Sequence, residues 1–196
     1  MTPCRVVVSV TGAPGAAIAL RIIERLAAMK CVEIHLVLSP SARRTVLHEE
    51  GAEAMGRMLS LASVNHAVDD IGAAIASGSF PTAGMIVAPC SMRTLAAIAT
   101  GLSDNLITRA ADVHLKERRK LVLMTRETPL HLIHLRNMCA VTEAGAIIMP
   151  PVPAFYNRPQ SVFDIVDQLA ARAIDQLGIA PAPQASIWQP HVMKTP

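Results

Sequence analysis

The sequence predicts an α/β fold built on a parallel, doubly wound sheet. Three observations carry that prediction. Short continuous apolar runs recur at Val6-Val7-Val8, Met85-Ile86-Val87-Ala88 and Leu121-Val122-Leu123-Met124; segments with helical periodicity separate them; and hydroxyl or glycine residues follow their carboxyl ends. Runs of that length suit strands buried on both faces. Strands that alternate with helices pair in parallel through crossovers.

The elements follow in order. Arg5 to Val10 reads as the first strand, Ala17 to Met29 as an amphipathic helix, and Glu33 to Leu38 as a second strand. An Ala-rich middle predicts helices near Ala42 to Glu49 and Ala67 to Ala76. Met85 to Ala88 is a third strand, ending in Pro89-Cys90-Ser91. Helices Met92 to Thr100 and Asn105 to Arg119 come next, the second capped by Ser103 or Asp104. Leu121 to Met124 is a strand, Leu130 to Ala144 a helix and Ala146 to Met149 a strand. A proline-rich loop, Pro150 to Pro159, leads to a last helix, Val162 to Leu177, stopped by Gly178. Residues 1–180 are expected to form one domain. The proline-rich tail, 181–196, is expected to be loose or docked on a neighbouring subunit.

Composition narrows the function. The 196 residues are 52% hydrophobic and 17% charged, enough apolar material for a sizeable core. A net charge of +3 with 3% aromatic residues does not suggest a nucleic-acid binder. No apolar run is long enough to span a bilayer, and the N-terminus reads as a strand and not as a signal sequence. Cys4, Cys31, Cys90 and Cys139 show no Cys-x-x-Cys spacing, as expected of a cytoplasmic chain with reduced thiols. His131 and His134 have no spaced Cys, Asp or Glu to complete a metal site, so no metal is expected.

The chemistry concentrates between Asp104 and Pro129. Arg109 and Lys116 are seven residues apart, so they share a helix face. Asp112, four residues before Lys116, would support the helix by pairing with it. Arg126 and Glu127 follow the strand Leu121 to Met124, and ligands of open α/β sheets bind beyond such carboxyl ends. Arg118, Arg119 and Lys120 read as a solvated face. Elsewhere, Thr11-Gly12-Ala13-Pro14-Gly15-Ala16 joins strand to helix where an anion would be favoured, but it lacks the G-x-G-x-x-G spacing of a dinucleotide site. Ser39 and Ser91 to Thr94 stand at the next strand ends, as helix caps or as ligand-facing hydroxyls. The stiff proline loop should hold Tyr156, the only tyrosine, in place.

These blocks, together with Pro89-Cys90-Ser91-Met92-Arg93-Thr94-Leu95, Arg126-Glu127-Thr128-Pro129-Leu130 and Pro150-Pro151-Val152-Pro153-Ala154-Phe155-Tyr156, resemble the UbiX-type flavin prenyltransferases over nearly the whole chain. The resemblance implies a three-layer flavodoxin-like Rossmann fold assembled as a homododecamer, with active sites at subunit junctions. It implies reduced FMN and dimethylallyl phosphate as substrates and, without a metal, a product joined at N5 and C6. That product, prenylated FMN, passes to a UbiD-type decarboxylase.

Position by position, the resemblance places Gly12, Ala13, Pro14, Ser39, Ser91, Met92, Arg93, Thr94 and Arg126 around FMN. Arg109, Lys116, Tyr156 and Arg172 would hold dimethylallyl phosphate. Glu127 would move protons, and Lys116 and Glu49 would assist catalysis. One departure stands out: family members usually carry Ser or Thr where this chain has Pro14, and proline has neither hydroxyl nor N–H. Pro14 therefore leaves open a second reading, a carrier of FMN or prenyl-FMN with weak or no transferase activity. A cysteine decarboxylase of the same fold would need a different substrate clamp.

Overall fold

The computed structural model describes residues 4–188. Six parallel strands form one sheet: β1 (Cys4–Val10), β2 (Val32–Leu38), β3 (Val64–His66), β4 (Gly84–Cys90), β5 (Lys120–Thr125) and β6 (Ile147–Ile148). Their spatial order is β3-β2-β1-β4-β5-β6. The chain winds outward from β1 in one direction and from β4 in the other, so a crevice opens between β1 and β4 at the carboxyl ends. Val8 pairs with Leu36 on one side and Ile86 on the other, which sets the central register.

Strand residues alternate between two cores because successive side chains leave opposite faces. Val6, Val8 and Val10 pack with Ile22, Ile23 and Leu26 of α1 (Ala16–Ala28) and with Ala170, Ala173 and Ile174 of α7 (Val162–Asp175). Val7, Met85, Val87, Leu121 and Leu123 face the other way. They meet Leu95 and Ile98 of α4 (Met92–Ala99), Leu106 and Ala110 of α5 (Leu106–Lys116) and Val141 of α6 (Leu132–Glu143). Each fully buried Val, Leu, Ile or Met among them contributes roughly 1.5–3 kcal/mol. The result is the three-layer arrangement that the sequence predicts.

The middle of the chain departs from expectation. The helix predicted over Ala67 to Ala76 is absent; turns lead there into a short 3-10 segment, Ala74–Ala76, after the edge strand β3. β3 escapes a periodicity reading because it is three residues long with alternating partial exposure. Beyond α2 (Pro40–Glu49), a further helix, α3 (Gly51–Leu61), begins at Gly51, whose φ of 84° interrupts what would otherwise be one long helix. β4 runs through Pro89 to Cys90, with a register shift against β5. The cap of α5 is Asn105, not Ser103 or Asp104: its side chain accepts from Ile107 and Thr108 while Thr108 accepts from the Asn105 N–H.

The described part of the tail is tied to the chain's own helices at Gln184 and Ala185. Asp175 accepts from the Gln184 and Ala185 amides at 2.7 and 3.1 Å, and Arg25 of α1 reaches Gln184 at 3.1 Å. The rest of the tail, 189–196, lies outside the described residues.

Candidate functional site

A cavity of about 550 Å³ occupies the crevice at the carboxyl ends of β1, β2 and β4. Its wall includes Gly12, Ser39, Ser91, Arg93 and Thr94, so five of the residues assigned to FMN come together there. The hydroxyls are ordered by helix starts. Ser39 caps α2 by accepting from Ala42 N at 3.0 Å; Ser91 caps α4 by accepting from Thr94 N at 3.3 Å and donates to Thr94 Oγ1 at 3.1 Å. Thr11 ties two of these strand ends together, donating to the Pro89 carbonyl at 2.6 Å and accepting from Ser91 N at 2.8 Å. Gly12 is required by packing, since a Cβ there would lie 2.4 Å from Ser41 Cβ. Arg93 pairs with Asp104 at 2.5 Å. Desolvation raises the Asp104 carboxyl, but the charge and hydrogen bond of Arg93, with hydrogen bonds from Asn105 and Thr108, outweigh it and hold the group below its ordinary range.

The start of α1 is not a free anion seat. Glu49, at the end of α2, accepts from Gly15 N at 2.9 Å and Ala16 N at 2.8 Å, so the protein's own carboxylate fills the amides predicted to favour a ligand. Pro14 is exposed and lies before the helix, whose cap is Gly15 with a φ of 116°. Neither Pro14 nor Ala13 lines the cavity, nor does Met92. Arg126 and Glu127 are exposed at the end of β5, one strand beyond the crevice, with Arg126 N donating to the Cys90 carbonyl at 3.1 Å.

The residues assigned to dimethylallyl phosphate are not gathered within one protomer. Arg109 and Lys116 lie on α5, against one face of the sheet, while Arg172 lies on α7, against the other. Asp112 pairs with Arg109 at 2.7 Å and not with Lys116, whose partner is its neighbour Glu117. Arg109 also reaches the Ala76 carbonyl at 3.2 Å. Tyr156 stands on a 3-10 turn, Phe155–Asn157, and is 55% exposed, so the proline loop holds its backbone while the ring packs little. Arg119 departs from the solvated reading: it donates to the carbonyls of Phe80 at 2.8 Å and Gly78 at 2.5 Å.

Sequence reasoning missed Thr11, Ser41, Val68, Asn105 and Ile107 as cavity residues. Thr11 and Asn105 carried a signal, as the residue after β1 and a polar residue opening a helical pattern. Val68 carried none, because it reaches the cavity only through β3. His114 was also missed: buried on α5, it meets the Ala110 carbonyl at 2.7 Å and Thr82 at 2.9 Å, and burial lowers its imidazole to about 4. Burial pushes the Cys90 thiol up to about 12, so it is no nucleophile at neutral pH. Among the described residues no group of His, Cys, Asp or Glu is arranged to hold a metal ion, and His131 serves as the cap of α6.

Residues 1–174 match the family model described as Flavoprotein. The "Probable UbiX-like flavin prenyltransferase" of Bacillus subtilis (strain 168) is 54% identical over 184 residues, 94% of this chain and 89% of that protein. The "Flavin prenyltransferase UbiX" of Escherichia coli (strain K12) is 49% identical over 186 residues, 94% and 98% of the two chains. Among solved structures, AnUbiX (PadA1) in complex with FMN and dimethylallyl pyrophosphate superposes with a TM-score of 0.89 at 46% identity, over 96% of this chain and 98% of that one. A dodecameric FMN-dependent UbiX-like decarboxylase from Escherichia coli O157:H7 gives 0.89 at 47%, over 95% and 100%. With half of its residues and nearly all of its backbone shared with these proteins, the chain belongs to the flavoprotein family and, within it, to the UbiX-type flavin prenyltransferases.

Proposed function

We propose that the crevice between β1 and β4 seats reduced FMN and that the protein attaches to it the dimethylallyl group of dimethylallyl phosphate. The observation that carries this reading is the cavity itself: about 550 Å³, within the range of cofactor sites, lined by hydroxyls and one guanidinium, in a fold shared with a protein that binds FMN and dimethylallyl pyrophosphate. Reduced FMN would supply the nucleophile: N5 takes the allylic carbon as phosphate leaves, and C6 then closes on the prenyl double bond, which gains a proton as C6 loses one. The chain's own residues do the rest. Gly12, Ser39, Ser91 and Thr94 orient the flavin, Arg93 adds charge, and Arg126 borders it from β5.

Glu127 accepts the protons that the flavin gives up on bond formation, because an exposed carboxylate at the strand end is a competent base. Arg109, Lys116, Tyr156 and Arg172 hold the phosphate and stabilise the charge it gains on leaving. Since α5 and α7 cover opposite faces of the sheet, that grip draws on more than one protomer. The dodecameric relative and the exposed Leu132, Ile133, Phe155 and Phe163 support such an assembly. Glu49 serves the reaction by fixing the start of α1. The product, prenylated FMN, passes to a UbiD-type decarboxylase in the cytoplasm; no described helix is long and apolar enough to cross a membrane.

Anaerobic incubation with reduced FMN and dimethylallyl phosphate, followed by the mass of the extracted flavin, tests the reading. A flavin heavier by one five-carbon unit is expected. Unmodified FMN after long incubation would replace the transferase with the carrier that Pro14 leaves open.

A further inference from the structure

A partly buried polar chain crosses three strands, from the amino-terminal ends of β1 and β2 to β3. Arg5 Nε on β1 donates to Glu33 Oε2 at 3.1 Å, Glu33 Oε1 meets His35 Nε2 at 3.1 Å, and His35 Nδ1 meets His66 Nε2 at 2.9 Å. His35 is 3% exposed. The two imidazole planes are 15° apart, Phe80 stands edge-on to His35, and the Arg5 guanidinium covers Phe80 at 4.6 Å.

Valence assigns the protons. A carboxylate only accepts, so His35 Nε2 donates to Glu33 and a neutral His35 offers Nδ1 as acceptor; His66 Nε2 then carries the hydrogen. One added proton can be absorbed: on His66 Nδ1 it leaves the Nε2–H donation to His35 intact, and on His35 Nδ1 it reverses that bond once His66 shifts its own hydrogen from Nε2 to Nδ1. A second added proton sets N–H against N–H, and the contact cannot survive. Burial is the main influence lowering both imidazoles below their ordinary range. Arg5 and the neighbouring imidazole lower them further, while Glu33 on β2 and Asp70 beyond β3 act in the opposite sense.

The pair sits at a consequential joint. β3 is an edge strand of three residues whose strand partner is β2 alone. Two residues past His66, Val68 lines the cavity, and its carbonyl accepts from Leu106 N, the first residue of α5, at 2.7 Å. We propose that His35 and His66 form a proton-limited latch: neutral or singly protonated, the pair holds β3 and therefore Val68 and the start of α5 against the cavity, and doubly protonated it releases them, so that the cavity loses its ligand in acid. Only the choice of FMN as ligand rests on the function proposed above.

Two measurements test the latch. Hydrogen exchange at pH 8 and pH 5.5, corrected for intrinsic rates, should show residues 64–68 losing about tenfold in protection while β1 is unchanged. Equal behaviour of the two strands overturns the proposal, and this arm needs no ligand. FMN affinity at the same two pH values is then compared between the wild type and His66→Gln, whose amide donates to His35 but never gains a charge. Because phosphate monoesters themselves titrate near pH ~6, the ratio of the two proteins is the readout. The wild type should lose about tenfold more affinity than the variant; equal losses overturn the latch. If His66→Gln does not fold, hydrogen exchange on the wild type decides. If FMN fails to bind at either pH, the flavin reading falls while the exchange result still decides the latch.

Discussion

The crevice and the phosphate grip differ in how far one protomer completes them. In the crevice, Thr11, Ser91 and Thr94 are bonded to one another, Ser39 is fixed as the cap of α2, and all four converge on a single cavity. In the grip, Arg109, Lys116, Tyr156 and Arg172 are at least one-third exposed and divided between the two faces of the sheet. One chain therefore encloses the cavity, whereas the residues assigned to the phosphate lie on both faces of its sheet. Preorganisation resides where the donors are already fixed by strand ends.

The largest effect should separate chemistry from binding. Glu127→Gln is expected to keep FMN affinity, read by fluorescence quenching, and to slow product formation by about 10²–10⁴-fold, the usual worth of a general base. An undiminished rate removes Glu127 from the mechanism. Next in size, acid should weaken the helix that carries residues of both regions. His114 on α5 is lowered to about 4, so the unfolded chain binds the extra proton below its ordinary value of 6.5. Stability is complete above about pH 6.5 and falls as pH drops toward 4, by roughly 3 kcal/mol in all. Denaturant midpoints across that window check it, and His114→Asn should flatten the dependence.

The third test breaks the comparison directly. Arg109→Ala and Arg172→Ala should each cost about 1.5–3 kcal/mol in the apparent affinity for dimethylallyl phosphate while sparing FMN binding. Refolding the two variants together should restore part of the activity if the grip spans protomers; a mixture no better than its parts would place it within one chain. Gly12→Val should cost about 1–3 kcal/mol, because its side chain collides with Ser41 and displaces α2 from the cavity. FMN titration and thermal melting report it. Smallest, Ser39→Ala removes the cap of α2 and should cost about 1 kcal/mol of stability with a modest loss of FMN affinity.

Much of this was legible in the chain. The strands Leu121 to Met124 and Met85 to Ala88 declare themselves because burial on both faces demands unbroken apolar runs, and their carboxyl ends locate the crevice. The stretch 64–76 was not legible, since an edge strand of three residues with partial exposure leaves no period to read. The Asp112–Lys116 pairing failed for a different reason: spacing permits both i,i+3 and i,i+4 partners, and Arg109 is the one that Asp112 meets.

By itself the sequence determined the layer architecture, the hydroxyl-bearing strand ends and the family, because these depend on local periodicity and on residues fixed to their own elements. The tertiary structure alone decided which of them meet. It carried Glu49 across to the amides of α1, brought Val68 into the cavity by way of an edge strand, and set Arg109 and Arg172 on opposite faces of one sheet. Such meetings depend on crossovers and strand order, which no spacing along a single chain encodes.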